Sequence, residues 1–451
     1  MPTIKPYTLS GFMELLPDKQ VQFNTMMERI GESFSLYGFT PLDTPVIEAS
    51  EILLAKAGGE TEKQMYRFTK GEHDLALRFD LTVPLAKYVA KNYGQLSFPF
   101  RRYQIGKVYR GERAQRGRFR EFYQCDIDIV GDEKLGIMND AEIPGIIYRT
   151  FTSLGLEKFT IRFNNRKVLT GFYQILGLAE QASDIMRTVD KLDKIGADKV
   201  QGLLVSELGL AEDKAVEILA LTSVGGDPFD ALAKYSGKNE LFDEGVSELR
   251  EVSHHLAAFG VPAEACVIDL KISRGLDYYT GTVYETFITA HPEIGSICSG
   301  GRYDNLAGYY TDKKLPGVGI SIGLTRLYYV LNEQGYLNPD MLTAPADVLV
   351  IPMTEDFSHA VALATAMRER GVRAMIYSED KKFKAKIGYA DKLGIPFVVF
   401  LGEDEISQGK ITVKDMRSGE QVTASAAMLI EGIKEKLGVM RAVAPVRVSG
   451  K

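Results

Sequence analysis

The chain has 451 residues, 45% of them hydrophobic and 25% charged, with a formal net charge of -6. A single hydrophobic core stops growing at roughly 250 to 300 residues, so this length predicts two or three domains. The composition is that of an average soluble globular protein and does not suggest disorder. The cysteines Cys125, Cys266 and Cys298 are odd in number and far apart, which argues against a disulfide framework and closely spaced zinc ligands.

The sequence contains no run of roughly 18 apolar residues, the length a membrane helix needs, and its N-terminus lacks a secretory pattern. We therefore expect a cytoplasmic protein with no membrane partner. The acidic charge does not favour binding to nucleic-acid phosphates. However, residues 345–451 hold 16 Lys and Arg against 14 Asp and Glu, a local charge of +2 that neither requires nor excludes an RNA partner.

The first predicted element is a helix that begins near Pro17 and ends at Gly38. Its apolar residues recur at the spacing of one helical face: Phe23, Met27, Ile30, Phe34 and Tyr37. The next segment, FTPLDTPVIE, predicts an edge or interface strand, because Pro41 and Pro45 cannot donate backbone hydrogen bonds.

Two strand-like segments, RRYQIGKVYR and EFYQCDIDIVG, flank an arginine-rich connector and predict an antiparallel hairpin with a long loop. Alternate residues of paired strands face one side. The residues predicted to line one concave surface are Arg110, Glu112, Phe122, Gln124, and Asp126 or Asp128. Guanidinium groups suit phosphates because they donate two bonds at once. A solvated charged turn is the alternative interpretation.

Residues 166–255 have helical spacing and predict a helical insertion. The segment RGLDYYTG follows, with Arg274, Tyr278 and Tyr279; taken alone, a structural turn is favoured over a ligand-binding wall. Strand-like residues then return in TVYETFIT, and LPGVGISIGLTRLYYVL predicts a strand that leads into a buried helix. The glycines of GVGISIG do not match a dinucleotide motif, and close strand–helix packing is the favoured explanation.

A linker is predicted at 336–345 from the turn-forming residues of NPDMLTAPADV, which begins at Asn338. Beyond it, the strands VLVIPM, RAMIY and PFVVFLG alternate with two helices, from Glu355 to Arg370 and through KKFKAKIGYADKLG. This alternation predicts a small α/β domain on a largely parallel sheet at 346–440, followed by a tail at 441–451.

Together these segments resemble the histidyl-tRNA synthetase family, which are class II aminoacyl-tRNA synthetases. The segment GFTPLDTPVIE resembles the family's dimer-forming first motif, the hairpin resembles the second, and GVGISIGLTRL resembles the third. LRFDLTVPLAKYV, RGLDYYTG and SGGRYDNL resemble further family segments. The resemblance implies an α+β catalytic domain with an antiparallel sheet at 1–335, interrupted by the helical insertion, and an α/β anticodon-binding domain at 346–440.

The reaction implied by the resemblance is activation of histidine by ATP to histidyl-adenylate, followed by transfer to the 3' end of tRNA(His). ATP is then a substrate accompanied by Mg2+, the protein itself holds no metal site, and a homodimer is expected. By position, the resemblance implies catalytic roles for Arg110 and Arg274. The residues implied to bind histidine are Asp80, Thr82, Arg110, Gln124, Asp128, Arg274, Tyr278 and Tyr279.

The residues implied to bind ATP are Arg110, Glu112, Arg118, Phe122 and Arg326, and Arg113 and Gln115 match positions near the tRNA acceptor end. The chain departs from many bacterial members, which have RPEGT in place of RFDLT and Glu in place of Asp128. These changes keep the charge and shorten the side chain. The sequence therefore predicts the charge of the pocket but not its dimensions.

Two alternatives use the same fold. A regulatory subunit of ATP phosphoribosyltransferase normally lacks the C-terminal domain and the arginines of the second motif, both of which this chain retains. A nucleic-acid accessory protein would not need the intact RGLDYYTG segment or the pair Arg110 and Glu112.

Overall fold

The computed structural model of the chain describes residues 3–55, 59–113, 115–224, 226–272 and 279–447. The chain divides into two compact units: Met1–Glu14, Met26–Tyr336 and Val446–Lys451 form the first, and Leu15–Thr25 and Leu337–Pro445 form the second. In the described part of the chain, none of the helices is long and apolar enough to cross a membrane.

The helices up to residue 336 are α1 (Pro17–Ser35), α2 (Ser50–Leu54), α3 (Gly59–Gln64), α4 (Thr82–Asn92), α5 (Met138–Leu154), α6 (Arg166–Ile175), α7 (Ala182–Val189), α8 (Leu192–Ile195), α9 (Ala197–Ser206), α10 (Glu212–Thr222), α11 (Pro228–Leu232), α12 (Glu240–His255) and α13 (Leu324–Glu333). The predicted first helix is confirmed as α1. Its residues Phe23, Ile30 and Phe34 are buried, and the chain leaves it through Gly38 in the left-handed conformation, with φ 74°.

The strands of the first unit are β1 (Thr40–Pro41), β2 (Ile47–Ala49), β3 (Arg67–Lys70), β4 (His73–Leu77), β5 (Phe100–Tyr109), β6 (Glu121–Val130), β7 (Phe159–Asn165), β8 (Cys266–Ile268), β9 (Thr282–Ile288), β10 (Cys298–Tyr303) and β11 (Gly317–Gly323). Among described residues, eight of them form one sheet in the order β1-β5-β6-β11-β10-β9-β7-β8, and three form a second sheet in the order β2-β4-β3.

The large sheet is antiparallel from β5 to β7, and parallel pairs occur only at its two described edges, β1 with β5 and β7 with β8. The predicted hairpin is confirmed as β5 and β6, and the predicted edge strand is confirmed as β1. Helices α6 to α12 occupy the span predicted to be an insertion. The boundaries of such an insertion stay a prediction.

The second unit contains β12 (Val348–Pro352), α14 (Ser358–Glu369), β13 (Ala374–Ile376), α15 (Phe383–Lys392), β14 (Phe397–Leu401), α16 (Glu403–Gln408), β15 (Lys410–Asp415), β16 (Gln421–Ser425) and α17 (Ala426–Arg441). Its strands, all within described residues, pair in the order β13-β12-β14-β15-β16. The first three are parallel, as predicted, but β15 and β16 add an antiparallel hairpin. The β-branched residues of ITV and the turn at Gly419, where φ is 77°, explain this addition.

Candidate active site

The candidate site lies on one face of the hairpin of β5 and β6. The register pairs Arg102 with Asp128 and Gln104 with Asp126, and Gln124 follows the same alternation along β6. Residues directly opposite each other in an antiparallel pair share a face of the sheet. The structure therefore brings both candidate aspartates to the face on which Gln124 was predicted.

Strand β11 leaves room for this face because of its glycines. Gly319 pairs with Asp128, and a Cβ atom at position 319 would lie 2.7 Å from Cγ of Asp128. Gly317 pairs with Tyr303, and a Cβ atom there would lie 2.6 Å from the Tyr303 hydroxyl oxygen. The predicted reason for these two glycines, packing against a helix, is therefore wrong. They make room for side chains of the neighbouring strands.

Asp128 is held at both carboxylate oxygens. Tyr303 donates its hydroxyl hydrogen to Oδ1 at 2.8 Å, and Nη2 of Arg102 lies 2.6 Å from Oδ2. Arg102 is fully buried and Asp128 is 3% exposed. A hydrogen bond therefore acts on one oxygen of the carboxylate and a buried positive charge on the other.

Arg102 also reaches the turn before α4. It donates from Nη2 to the carbonyl oxygen of Leu81 at 3.3 Å. In that turn, Oδ1 of Asp80 accepts hydrogen bonds from the backbone N–H groups of Thr82 and Val83, at 3.1 and 2.9 Å. We call the set of Asp80, Arg102, Asp126, Asp128 and Tyr303 the carboxylate pocket.

The carboxylate pocket favours a cationic ligand group. Burial raises the pKa of Asp126 to about 7 and that of Asp128 to about 6, and the charge of Arg102 is the main opposing influence on both. Burial also raises the pKa of Asp80, against the hydrogen bond from Val83. One guanidinium among the carboxylates leaves an excess of negative charge, which an ammonium group would offset.

A cavity of about 310 Å³ opens beside Gln124. Its walls include all five residues implied to bind ATP: Arg110, Glu112, Arg118, Phe122 and Arg326. We call it the arginine cavity. Arg110 lies between two aromatic rings, with its guanidinium carbon 4.4 Å from the ring centre of Phe79 and 5.1 Å from that of Phe122.

The other charged side chains that line the arginine cavity contact groups close to them. Nη1 of Arg118 lies 3.2 Å from Oε2 of Glu112, and Arg326 donates to the carbonyl oxygen of Ser296 at 3.1 Å. Burial lowers the pKa of Arg326, and the charge of Arg118 lowers it further. Two guanidinium groups that repel each other in one cavity favour the binding of an anion.

Of the remaining predicted residues, the structure describes Arg113, Gln115 and Tyr279. Arg113 and Gln115 are exposed on the loop between β5 and β6 and are not part of the cavity wall. Tyr279 is half-buried and packs in the same cluster as Tyr303. Arg274 and Tyr278, by contrast, lie outside the described residues.

The sequence interpretation missed two members of the carboxylate pocket. An arginine in a strand ordinarily faces solvent, so Arg102 carried no signal by itself; its place opposite Asp128 in the hairpin register could have revealed it. Tyr303 belongs to SGGRYDNL, which was associated with the family but given no role. It reaches Asp128 only through the pairing of β10 with β11 and of β11 with β6.

Two known protein families match parts of this chain. Residues 11–327 match Histidyl-tRNA synthetase, and residues 347–436 match an anticodon binding domain. A histidine–tRNA ligase of Clostridium tetani is 52% identical over 434 residues, which are 96% of this chain and 98% of that protein. One of Finegoldia magna is 47% identical over 96% of this chain and all of that protein.

Solved structures agree with these matches. A histidyl-tRNA synthetase from Nostoc sp. PCC 7120 has a TM-score of 0.88 and 41% identity, and the match covers 96% of this chain and all of that one. The predicted fold class is thereby confirmed. A second structure is that of a Bacillus halodurans protein described as an ATP phosphoribosyltransferase regulatory subunit/histidyl-tRNA synthetase. It is 20% identical, with a TM-score of 0.72 over 88% of this chain and 99% of that one, so this match shows a shared fold alone.

Proposed function

This chain belongs to the histidyl-tRNA synthetase family, and from that premise we propose how its residues divide the reaction. It is a ligase of the aminoacyl-tRNA synthetase class: ATP activates L-histidine to histidyl-adenylate with release of diphosphate, and the histidyl group passes to the 3' end of tRNA(His) with release of AMP.

ATP binds in the arginine cavity. The observation that supports this most directly is the convergence of Arg110, Arg118 and Arg326 on one cavity that also contains the ring of Phe122. Adenylate formation builds negative charge around the α-phosphorus, and fixed guanidinium groups stabilise that charge without reorganising. Arg110 binds the α-phosphate, and Arg118 and Arg326 bind the outer phosphates. Phe122 stacks on the adenine, and Glu112 binds the edge of that base.

Histidine binds across the carboxylate pocket, next to that cavity. Asp80 and Thr82, with Gln124, hold the ammonium end, and Asp128 accepts a hydrogen bond from the imidazole. Tyr279 belongs to the same wall, to which the family pattern also assigns Tyr278 and Arg274. An apolar isostere of histidine would leave these buried groups unpaired, at a cost of roughly 1 to 3 kcal/mol for each group.

Mg2+ enters with ATP. No group of three or more His, Cys, Asp or Glu side chains in the described ranges could hold a metal by itself. A Mg2+ ion on a nucleotide needs only one or two carboxylates, because phosphate oxygens and waters complete its shell. When bound, the ion would neutralise phosphate charge.

The tRNA contacts both units. Arg113 and Gln115, exposed on the loop of the hairpin, face the acceptor end. In the second unit, Phe383 is 48% exposed beside exposed lysines at the start of α15, and its ring centre lies 5.3 Å from that of Phe400. Exposed rings stack on single-stranded bases and lysines bind phosphates. This surface is our candidate for the anticodon site.

A homodimer forms through the first motif. Register places Ile47 beside Leu77 and Phe68 beside Leu75, all on one face of the small sheet β2-β4-β3. Ile47 and Phe68 are 47% and 40% exposed, so the apolar part of this face, at whose end Lys70 and His73 lie, is open in the single chain. A second copy would cover it. A cytoplasmic location stays the expectation drawn from the sequence.

Histidine-dependent exchange of pyrophosphate into ATP tests the proposal. The purified chain should catalyse this exchange with histidine and Mg2+, and Arg110→Ala should abolish it. Arg187→Ala, at an exposed arginine of α7 that pairs with Asp184, is the matched control and should leave the exchange unchanged. A folded protein that binds histidine but supports no exchange would favour a regulatory subunit instead.

A further inference from the structure

Arg102 is a fully buried arginine with no role in the reaction as described so far. Burying a guanidinium group costs several kcal/mol unless it is well paired. Its neighbours on the same face of β5 are Gln104 and Gly106, and neither carries a charge. No charge on its own strand therefore offsets Arg102, and the charge that does so lies across the sheet at Asp128.

The contacts of Arg102 connect the two ends of the carboxylate pocket. Nη2 lies 2.6 Å from Oδ2 of Asp128 and 3.3 Å from the carbonyl oxygen of Leu81, beside the Asp80 turn. Within the part of the chain that the structure describes, Nε and Nη1 of Arg102 have no hydrogen-bond partner. The guanidinium thus stands between the carboxylate assigned to the imidazole and the carboxylate assigned to the ammonium group.

We propose that Arg102 is a positioning residue for histidine: it keeps the Asp128 carboxylate ionised and fixed in orientation, so that Asp128 accepts an imidazole N–H. This inference rests on the proposed function, which assigns Asp128 to the imidazole. It also explains the shorter side chain at position 128. Oδ1 of Asp128 accepts the hydrogen bond from Tyr303, whereas Oδ2 has the Arg102 charge at 2.6 Å but, among the described residues, no hydrogen-bond donor, so its lone pairs remain for a substrate donor.

The charges around Asp128 make the role of Arg102 electrostatic as well as geometric. The titratable and charged groups that act on Asp128 or on its direct neighbours are Arg102, Asp80, Asp126, Tyr303, Tyr279 and Arg110. Burial raises the pKa of Asp128 to about 6 even though Arg102 opposes the rise. Without Arg102, burial and the nearby Asp80 would raise it further, and a protonated Asp128 is a poorer acceptor.

The test is Arg102→Met, which keeps the length of the side chain and removes its charge. In pyrophosphate exchange we expect the KM for histidine to rise about tenfold or more, as for loss of a charge-assisted contact. The KM for ATP should stay the same, which shows that the arginine cavity is intact. As the pH is raised, the KM for histidine should also begin to fall at a higher pH than in the unchanged protein, because Asp128 without Arg102 loses its proton at a higher pH.

Two further variants keep the test decisive. Arg102→Lys retains the charge without the planar fork, so the pH dependence should return towards normal while the KM for histidine stays raised. In the double variant Arg102→Met with Asp128→Asn, the pH dependence that belongs to Asp128 should disappear. An unchanged KM for histidine and an unchanged pH profile in Arg102→Met would overturn the inference.

If Arg102→Met does not fold, Arg102→Lys decides: an unchanged KM for histidine in that variant would also overturn the inference. A failure of the proposed function would look different. In that case the unchanged protein itself would show no exchange with histidine.

Discussion

Gly319 lies directly opposite Asp128 on the neighbouring strand, and the space of its missing side chain is occupied by the Asp128 carboxylate and by the backbone carbonyl oxygen of Ile127. Gly319→Ala should therefore press on both groups, moving the carboxylate away from Arg102 and Tyr303 and straining the backbone of β6. Such overpacking costs about 1 to 3 kcal/mol, and we expect the KM for histidine to rise about tenfold while the KM for ATP is unchanged. Gly308→Ala is the matched control, because a Cβ atom there meets nothing within 4 Å. Equal kinetics for the two variants would contradict the role of Gly319.

Arg326→Met should weaken ATP binding more than histidine binding. The variant removes one of two guanidinium groups that repel each other in the arginine cavity and that an anion would satisfy. A lost charge-assisted contact predicts a KM for ATP raised about tenfold to a hundredfold. Calorimetric titration with histidine should give an unchanged affinity. Arg187→Met, on the surface of α7, serves as the control.

The stability of the substrate-free protein should depend on pH through Asp126. Burial raises the pKa of this carboxyl from 3.8 to about 7. The folded protein therefore holds the proton more tightly than the unfolded chain, and the associated stability is full below about pH 4 and is lost as the pH rises through 7. Asp126→Asn should melt at a higher temperature than the unchanged protein at pH 8, and this advantage should shrink at pH 5.

Calorimetric scans at the two pH values, without substrates, measure the Asp126 effect. Asp312→Asn, at an exposed aspartate of the same unit, is the control and should show no pH-dependent difference. If Asp126→Asn lowers the melting temperature equally at both pH values, the ionised Asp126 carboxylate does not destabilise the folded protein, and the prediction is wrong.

Phe383→Ala should impair charging of tRNA while adenylate formation stays intact. Base–aromatic stacking contributes about 1 to 3 kcal/mol for each base, which predicts a KM for tRNA raised about fivefold or more. Pyrophosphate exchange should be unaffected, because it needs only the first unit. Val361→Ala, at a 49% exposed residue of the same unit, is the control. Equal losses in charging and exchange would argue against an RNA surface at α15.

Local patterns predicted much of this fold, because they depend on neighbouring residues. The period of apolar residues marked α1, and the two strand-like segments around an arginine-rich loop marked the hairpin of β5 and β6. Once the hairpin is known, alternation alone places Gln124 and Asp128 on one face. Alternation also predicted that Arg110, Glu112 and Phe122 of the arginine cavity share a surface, whereas the roles of Arg118 and Arg326 came from the family resemblance alone.

The carboxylate pocket was only partly within reach, because its members meet through the order of strands in the sheet. Tyr303 and Asp128 are 175 residues apart in the chain. No local pattern states that β11 lies between their strands, or that its glycines clear the space for both. The charge of Arg102 likewise gave no hint of burial, since a charged residue in a strand is usually exposed.

The strand order also sets the time at which the carboxylate pocket can first exist during synthesis of the protein. Strands β5 and β6 leave the ribosome early, but Tyr303 and Gly319 lie on strands that emerge about 200 residues later. Until β11 has inserted between β6 and β10, Asp128 lacks its Tyr303 partner and histidine has no complete wall to bind. On the proposed assignment of this pocket to histidine, free histidine can stabilise only the finished first unit and cannot guide its early folding.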